Sequence, residues 1–311
     1  MASDISVHAV SHSGISPLYC FNLAHKVKAL DDLLAHKRSP EHRTEIVITP
    51  NVSCGGNRLM LVAGPCAVES EEQMQECGDV LSKAPVQALR GGVFKPRTSP
   101  YTFQGMGEEG LQILSETGKQ HGMPVIAEVM SAKQLEEAYD SLDVLQIGSR
   151  NMQNFELLKE VSQVRKPVLL KRGLAATIEE FLMAAEYIMA GGNHNVILCE
   201  RGIRSFDSMT RNVLDLGAVA VLKQMTHLPV IVDPSHAAGR CELIADLARA
   251  AVACGADGLM IECHPTPKKS ISDARQALSL QEMSELVKSL AAVAAAIGRE
   301  VSVPSPEAVL S

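Results

Sequence analysis

Two cations stand close together in the stretch FKPRTSPY, which covers residues 94–101. Lys95 and Arg97 flank Pro96, and Thr98 follows them. Because proline fixes its own φ and restricts the residue before it, this stretch is predicted to be a stiff loop rather than part of a helix. Holding long cationic side chains in place costs side-chain entropy, which a bound anion can offset. The stretch therefore indicates an anion-binding loop.

A larger set of chemically capable residues follows short apolar runs of the chain. Besides Lys95 and Arg97, its members are Cys66, Arg90, Glu128, Arg150, Lys171, Arg172, Glu200, Arg201, Asp233, His236 and Glu262. If the runs are parallel strands, these residues stand at the carboxyl ends of the strands, where (β/α)8 barrels form their active sites. Cations after one or two strands are typical of surface charge, whereas cations after four or five strands indicate one shared site.

One subset has the donor chemistry of a transition-metal site. Cys66, His236 and Glu262, with an acid from the next loop such as Asp273, offer one sulfur, one imidazole and two carboxylates. This donor set suits Mn2+, Fe2+, Co2+ or Zn2+ and is poor for Mg2+ or Ca2+. A single buried cysteine is more often a small core residue, and a single histidine is more often structural. Their common position at strand ends is what favours a metal site.

The second subset is cationic. Its members are Arg90, Lys95, Arg97, Arg150, Lys171 and Arg201, which carry more charge than one phosphate needs. Arginine binds phosphate and carboxylate through paired, charge-assisted hydrogen bonds. We infer two phosphorylated substrates, or one phosphate with a carboxylate beside it. A metal next to two anions indicates polarisation of a carbonyl or orientation of water rather than redox chemistry.

Eight apolar runs rich in Val, Ile and Leu are predicted to be strands. They cover residues 59–64, 87–94, 124–129, 143–148, 167–172, 195–200, 229–234 and 258–263. Amphipathic segments with helical spacing separate most of them, for example 110–122, 177–192 and 242–255. Runs that are apolar throughout suit strands buried on both faces, and strand–helix alternation requires parallel strands. The pattern predicts an α/β fold, the (β/α)8 TIM barrel. An open doubly wound sheet is the alternative, although no GxGxxG motif follows the first strand.

The segments on either side of the barrel are predicted to be short. Residues 44–58 combine alternating polarity with a Gly-Gly pair, which predicts a β-hairpin at the barrel floor, so 44–297 form the catalytic unit. Residues 1–43 form a polar N-terminal extension, in which 21–37 has an apolar helical face. We interpret the extension as an oligomerisation arm or, alternatively, as a disordered leader. Residues 298–311 are predicted to be a flexible tail.

Composition excludes several classes of protein. The 311 residues carry a formal net charge of −7, which argues against a nucleic-acid partner. No apolar run has the length of a membrane span, and the first residues lack a signal-peptide pattern, so we expect no membrane partner and a cytoplasmic location. The eight cysteines lack paired spacing, which favours free thiols or a metal ligand over disulfides.

Seven motifs resemble those of the 3-deoxy-D-arabino-heptulosonate-7-phosphate (DAHP) synthase family, in its type I beta branch. They are AGPCAVES, FKPRTSPYTFQG, LQIGSRNMQNFELLKEV, PVLLKRG, GGNHNVILCERGIRSF, PVIVDPSHAAGR and GADGLMIECHP, and the match covers residues 44–297. The resemblance implies a metal-dependent condensation of phosphoenolpyruvate with erythrose 4-phosphate, the first step of the shikimate pathway, on a (β/α)8 barrel. It also implies small-molecule substrates and a homo-oligomer, a dimer or a tetramer.

The resemblance also implies roles for individual residues. The expected metal ligands are Cys66, His236, Glu262 and Asp273, with Mn2+ expected first and Fe2+, Co2+ or Zn2+ as alternatives. The residues expected at phosphoenolpyruvate are Arg90, Lys95, Arg150, Lys171 and Arg201. Those expected at erythrose 4-phosphate are Lys95, Arg97, Thr98 and Asp233. The catalytic candidates are Lys95, Glu128, Cys66 and His236, and the proton-transfer group stays open among Lys95, Glu128 and a metal-bound water.

Two departures from the family pattern affect what the resemblance implies. Ala-Arg-Gln follows Asp273 where the family has Gly-Pro-Gln, so the loop is expected to differ in shape. Residues 1–43 are too few for the chorismate-mutase-like or ferredoxin-like domain that branch members often carry. Two other functions stay open: an octulosonate-phosphate synthase using arabinose 5-phosphate, which reads KANRS where this chain reads KPRTS, and a silent regulatory relative. The complete set of ligands and cations argues against the silent relative.

Overall fold

The computed structural model describes residues 33–95, 99 and 101–302. Eight parallel strands alternate with helices and close into a barrel, because strand β10 pairs both with β9 and with the first barrel strand, β3. The TIM-barrel prediction is confirmed, and each of the eight predicted apolar runs contains one barrel strand. The strands are β1 Ile46–Thr49, β2 Val52–Cys54, β3 Met60–Gly64, β4 Ala88–Arg90, β5 Val125–Glu128, β6 Val144–Ile147, β7 Val168–Lys171, β8 Val196–Glu200, β9 Val230–Val232, β10 Gly258–His264 and β11 Leu278–Ser279.

Nine α-helices lie within the described ranges, mostly around the outside of the barrel. They are α1 Glu71–Leu81, α2 Glu108–His121, α3 Ala132–Ala138, α4 Phe155–Ser162, α5 Ile178–Ala190, α6 Leu216–Met225, α7 Pro234–Ala238, α8 Ile244–Ala253 and α9 Leu280–Ala296. Polar caps fix several helix starts. The Thr177 hydroxyl accepts from the Glu180 amide while the Glu180 carboxylate accepts from the Thr177 amide, a capping box that begins α5. Within these ranges no helix combines the length and apolar character that a membrane crossing requires.

The barrel strands are buried on both faces, which explains why they read as continuous apolar runs. In β3, Leu61 and Ala63 face the surrounding helices, whereas Met60 and Val62 face the barrel interior. The side chains of successive strand residues point to opposite faces, so each strand contributes to two separate apolar clusters. The strand-end residues of the sequence are therefore also divided between two faces.

The predicted hairpin is present and closes the barrel floor. Strands β1 and β2 pair antiparallel, and Ile46 and Cys54 belong to the apolar cluster of the barrel interior. The turn, however, lies between Thr49 and Val52 and not at the Gly-Gly pair. Gly55 follows β2 with a φ of 101°, and a Cβ there would lie 2.3 Å from the Thr44 carbonyl oxygen. Glycine is thus needed at a close backbone approach rather than for the hairpin turn.

The chain on either side of the barrel is attached to its floor where it is described. Residues 33–37 form a turn and a bridge to Thr226, not the helix predicted for 21–37, and residues 21–32 lie outside the described part. The predicted oligomerisation arm is therefore described only from Leu33 onward. At the other end, Glu300 accepts from the Leu59 amide and Ser302 accepts from the Gln87 side chain. Residues 303–311 of the predicted tail lie outside the described residues.

Candidate active site and metal centre

A cavity of about 520 Å³ opens at the carboxyl ends of the strands. It is lined by Arg90, Lys95, Ser99, Thr102, Glu128, Gln146, Gly148, Ser149, Arg150, Lys171, Leu174, Arg201, Arg204, Arg211, Asn212, His236 and Asp273. Eight of these are residues that the sequence predicted for the site. Arg97 and Thr98 lie outside the described residues, but Lys95 and Ser99, on either side of them, both line the cavity.

The four predicted metal ligands come together at one side of this cavity. One donor atom from each of Cys66, His236, Glu262 and Asp273 lies within 4.8 Å of the others. The Cys66 sulfur lies 3.4 Å from Asp273 Oδ2, and His236 Nε2 lies 3.2 Å from Glu262 Oε1. A sulfur, a neutral imidazole and two carboxylates fit a transition-metal ion of the Mn2+ to Zn2+ series.

Local backbone structure places three of the four donors. Cys66 follows Gly64, whose φ of 146° lets β3 pass so close to β4 that a Cβ would lie 2.1 Å from the Arg90 carbonyl oxygen. His236 lies on the short helix α7, which begins because the Asp233 carboxylate accepts from the His236 amide. Asp273 has a φ of 55°, the only left-handed non-glycine conformation within the described residues. Such a conformation persists where its surroundings impose it and is common at functional sites.

The histidine is prepared to bind a metal through one nitrogen. His236 Nδ1 lies 2.6 Å from Asp233 Oδ2, so the carboxylate holds the Nδ1 proton and leaves the Nε2 lone pair for a ligand. Burial lowers the pKa of His236 although Asp233 opposes this, which favours the neutral imidazole. Burial would raise the pKa of Asp233, but His236 and Lys171 outweigh it and hold this pKa well below its usual range. Asp233 is fully buried, so it lies behind His236 and Lys171 and does not line the cavity.

The cysteine needs a nearby cation to become a thiolate. Burial, with a contribution from the Glu262 carboxylate, raises the pKa of the Cys66 thiol to about 11. The Lys95 ammonium donates to the Cys66 sulfur at 3.0 Å and lowers this pKa, but burial dominates. A metal ion deprotonates a coordinating thiol outright. The thiol at this place therefore fits a metal ligand better than a free nucleophile.

The cations of the cavity fall into two groups. Arg90 lies 3.1 Å from Glu262, and Lys171 lies 2.5 Å from Asp233, so both have buried carboxylate partners. Arg211 is also paired, 3.3 Å from Asp273. Within the described ranges, no carboxylate lies at ion-pair distance from the remaining four lining cations, which are Lys95, Arg150, Arg201 and Arg204. Burial lowers the pKa of Arg201, and the neighbouring charge of Arg211 adds to this. Cations held without anionic partners in one cavity provide a binding site for anions.

Glu128, like Asp273, is an acid in the lining of the cavity, and it faces these cations. Its Oε1 atom is shielded from solvent and has no hydrogen-bond partner in the described structure, while Oε2 lies 3.5 Å from the Gln146 amide. Burial raises the pKa of Glu128, although Lys171, Lys95 and Arg150 oppose it. An unpaired carboxylate with a raised pKa in a cleft is a candidate for proton transfer.

Comparisons with known proteins find similar chains. The DAHP synthetase I family model matches residues 41–298. The chain belongs to this family. A phospho-2-dehydro-3-deoxyheptonate aldolase of Thermotoga maritima is 48% identical over 252 residues, covering 81% of this chain and 75% of its own length. A crystal structure of that DAHP synthase has a TM-score of 0.84 at 45% identity and covers 87% of this chain and 79% of its own.

More distant relatives carry a different name. A 2-dehydro-3-deoxyphosphooctonate aldolase of Stenotrophomonas maltophilia is 34% identical over 250 residues, covering 75% of this chain and 90% of its own length. A truncated form of the Thermotoga DAHP synthase has a TM-score of 0.81 at 42% identity. This match covers 86% of this chain and 98% of the truncated chain.

Several residues around the metal cluster and the cavity were not singled out from the sequence. Gln276 donates to Glu262 Oε2 at 2.6 Å and accepts from Arg211 at 2.9 Å, while Arg211 also lies 3.3 Å from Asp273. These two residues link the two carboxylate ligands. Gln276 retains the final Gln of the family's Gly-Pro-Gln, which was the available signal. Arg204 and Arg211 lie on loops without a strand-end signal.

Glu69 of the AGPCAVES motif holds the loop that carries Asp273. Its Oε1 accepts from the Ser270 hydroxyl at 3.1 Å and from the Ile271 amide at 3.0 Å. Its Oε2 lies 3.3 Å from His264 Nε2 at the end of β10. The loop after β10 is therefore fixed from the β3 side of the barrel, although its sequence departs from the family pattern.

Two of the strand-end residues face away from the cavity. Arg172 lies 2.9 Å from Glu200 and 3.0 Å from Asp215, and Glu200 accepts from the Gly202 amide at 2.6 Å. Their chain neighbours Lys171 and Arg201 line the cavity, because adjacent residues at a strand end point to opposite faces. The buried Arg172 group thus fixes the loop between β8 and α6.

Proposed function

We propose that the chain catalyses the metal-dependent condensation of phosphoenolpyruvate with erythrose 4-phosphate to DAHP and phosphate, the first step of the shikimate pathway. The observation that carries this proposal is the combination, in one cavity, of a four-residue metal cluster and four cations without carboxylate partners. The 48% identity to the Thermotoga maritima phospho-2-dehydro-3-deoxyheptonate aldolase supports the choice of reaction.

Phosphoenolpyruvate is assigned to the cations of the cavity wall. Arg150 and Arg201 bind its phosphate, since neither has a carboxylate partner among the described residues and the buried Arg201 gains most from a counter-charge. Arg90 and Lys171 bind its carboxylate from their ion-paired positions, and Lys95 lies beside both groups. The aldose phosphate is assigned to the Lys95–Arg97–Thr98 loop, with Arg204 as an additional described cation. Asp233 acts on the aldose only through Lys171 and His236.

The metal is held by Cys66, His236, Glu262 and Asp273, with Mn2+ proposed first and Fe2+, Co2+ or Zn2+ as alternatives. When bound, the metal polarises the aldehyde carbonyl as a Lewis acid. The chain's own residues supply the rest: Asp233 sets the tautomer of His236, Gln276 and Arg90 orient the Glu262 carboxylate, and Lys95 lies against the Cys66 sulfur.

Proton transfer is assigned to Lys95 and Glu128. A carbon–carbon bond forms between the enol carbon and the aldehyde carbon, and the aldehyde oxygen takes a proton. Water then adds to the carbon that carries the phosphate ester, loses a proton, and carbon–oxygen cleavage releases phosphate. The Lys95 ammonium, close to the metal cluster, is placed to give the first proton. Glu128, unpaired and opposite the cations, is placed to accept the second.

The compartment and assembly are part of the same proposal. Seven cysteines in the described part of the chain are free thiols, which supports a reducing compartment such as the cytoplasm. A homo-oligomer, a dimer or a tetramer, is proposed from the resemblance to the family.

One assay tests the reaction and its alternative. Loss of the phosphoenolpyruvate enol absorbance is followed with erythrose 4-phosphate or with arabinose 5-phosphate, with and without a chelator. Faster consumption with erythrose 4-phosphate that a chelator stops is the expected result. Preference for arabinose 5-phosphate would assign the octulosonate-phosphate activity that the 34% identical relative of Stenotrophomonas maltophilia carries in its name. No turnover with either sugar in the presence of Mn2+ would favour the silent relative.

A further inference from the structure

A second cation-lined cavity lies on the opposite, amino-terminal face of the barrel. This floor pocket has a volume of about 330 Å³ and is lined by Lys37, Pro40, Arg43, Lys223, Gln224, Cys254, Gly255, Ile297 and Arg299. Its four cations come from three separate parts of the chain: the segment before β1, the end of α6 and the segment after α9. None of them belongs to the active site described above.

The charges of the floor pocket do not balance. Lys223 lies 2.5 Å from Oδ2 and Arg299 lies 2.5 Å from Oδ1 of the buried Asp257 carboxylate, so the two cations share one negative charge. Over the described ranges, Lys37 and Arg43 have no carboxylate at ion-pair distance. Glu41 is the other acid near Lys37, and it is exposed. Counting Asp257 and Glu41 against the four cations leaves two positive charges without a carboxylate partner among the described residues.

The cations are held in place by backbone contacts. The Lys37 amide donates to the Met225 carbonyl at 2.9 Å, and the Lys37 ammonium donates to the Lys223 carbonyl at 2.6 Å. The Thr44 amide, next to Arg43, donates to the His227 carbonyl at 2.9 Å. Burial lowers the pKa of Lys37, and repulsion by the positive charges of Lys223 and Arg43 adds to this. An anion between them removes that repulsion and needs little rearrangement of the chain.

We propose that the floor pocket is a second anion site, which binds inorganic phosphate or a small phosphate monoester on the face opposite the active site. A phosphate dianion matches the two uncompensated charges. Its tetrahedral oxygens accept hydrogen bonds from cations placed on several sides, as Lys37, Arg43, Lys223 and Arg299 are. The cavity accommodates a phosphate group with a short carbon chain.

Crystals of the full chain soaked in selenate locate the site directly. Selenate is a tetrahedral dianion, and its selenium gives an anomalous signal. We expect anomalous density in the floor pocket within reach of Arg43 and Arg299, in addition to density in the active site. Density in the active site alone, in crystals whose packing leaves the floor pocket open, overturns the proposal.

Isothermal titration calorimetry with inorganic phosphate tests the site in solution. Arg43→Gln and Lys37→Gln/Arg43→Gln are compared with wild type and with Arg165→Gln, which changes an exposed arginine on the same face outside the pocket. The active site is intact in all four proteins, so its phosphate binding cancels in the comparison. We expect floor-site affinity to fall about tenfold or more for each charge removed and to be unchanged in Arg165→Gln. Equal isotherms for all four proteins overturn the proposal.

The chemical class is tested with three probes on the wild-type chain. If both inorganic phosphate and glycerol 3-phosphate compete for the Arg43-dependent site, the result supports a phosphate ester as the ligand. Competition by inorganic phosphate alone supports free phosphate as the ligand. If acetate competes as strongly as phosphate at equal concentration, the assignment to phosphate chemistry is overturned. Because Arg43 is exposed, Arg43→Gln is expected to fold and to retain full turnover, which separates this result from any failure of the proposed reaction.

Discussion

The inside of the barrel changes from apolar to polar side chains, four of them charged, within two residues along five of its strands. On the floor side, the inward-facing residues are Ala88, Ile126, Val144, Leu169 and Met260. Two positions further along the same strands, they are Arg90, Glu128, Gln146, Lys171 and Glu262. The floor layer gains free energy from apolar burial, whereas burying the charges of the mouth layer costs free energy. The comparison teaches that the floor makes the fold stable and that the mouth is maintained for its chemistry.

The mouth offsets only part of that cost. Arg90 with Glu262 and Lys171 with Asp233 form buried ion pairs, in which the Coulombic attraction compensates desolvation. Glu128 and Arg201 have no such partner in the described structure. We infer that these two side chains belong to a site that is completed by its substrates. Substitutions in the mouth layer should therefore change catalysis, and substitutions in the floor layer should change stability.

Replacing one cysteine in each layer distinguishes the roles of the two layers most sharply. Cys66→Ala removes a ligand at the mouth, and we expect kcat with added Mn2+ to fall by at least about 10³-fold, since a bound metal supplies several kcal/mol to the reaction. Cys54→Ala at the floor should keep kcat and lower the free energy of unfolding by about 1 kcal/mol. Steady-state kinetics and denaturant unfolding of both variants measure these effects.

Removing and restoring the metal is the control for these two cysteine variants. Chelator treatment of wild type should abolish turnover, and Mn2+ should restore it. Cys66→Ala should unfold at nearly the wild-type denaturant concentration, so that its inactivity is not a folding defect. Full turnover by metal-free wild type, or by Cys66→Ala, would contradict the metal site.

The floor layer is tested on the hairpin strand β1, where adjacent residues have opposite environments. Ile46 is buried in the interior cluster, and Val47 is 65% exposed. Ile46→Ala should lower the free energy of unfolding by about 2–5 kcal/mol, because a cavity opens in the floor, with kcat unchanged in the folded enzyme. Val47→Ala should change it by less than about 0.5 kcal/mol. Similar losses in the two variants would show that the hairpin does not close the barrel.

Substitutions of two buried glutamines test whether the mouth layer orients the side chains that bind the metal. Gln276→Leu removes the donor to Glu262, and we expect the affinity for Mn2+ to fall by about 10–100-fold, the usual cost of losing an outer-shell partner. Gln87→Leu at the floor breaks contacts to Leu61 and Ser302 and should lower stability without changing metal affinity. Equilibrium metal titration of both variants decides the matter. Equal metal affinities would remove Gln276 from the site.

The fold could be predicted from the sequence because its two determinants are local. Strands buried on both faces read as continuous apolar runs, and helices between them show their own period. The hairpin turn was misplaced because Gly55 has a positive φ for close packing against Thr44, a contact distant from any turn pattern. A glycine pair in a sequence does not reveal which of its two uses applies.

The site could be predicted wherever a side chain directly follows an inward-facing strand residue. Lys171 and Arg172 are adjacent in the sequence and equally charged, yet only Lys171 lines the cavity, because the face depends on register within the barrel. Arg211 and Gln276 reach the metal cluster from loops whose course follows from distant contacts, such as those of Glu69 with residues 270 and 271. Such partners carry no local signal.

The smallest expected effect concerns Glu128. Replacing this residue should raise the free energy of unfolding, whereas replacing a buried floor residue lowers it. Burial raises the pKa of this carboxyl above its ordinary value of 4.5, so the folded protein holds the proton more tightly than the unfolded chain does. Its contribution to stability is complete below pH 4.5 and is lost as the pH rises through the raised pKa of the folded state.

Glu128→Gln has no carboxyl to ionise, so the metal-free variant should be more stable than wild type at neutral pH, and this advantage should shrink as the pH falls toward 4.5. Denaturant unfolding across that range measures the difference, with Glu160→Gln on the exposed face of α4 as the surface control. An advantage that grows as the pH falls would mean that the folded state favours the ionised carboxylate, and Glu128 would then be a paired structural acid rather than a proton acceptor.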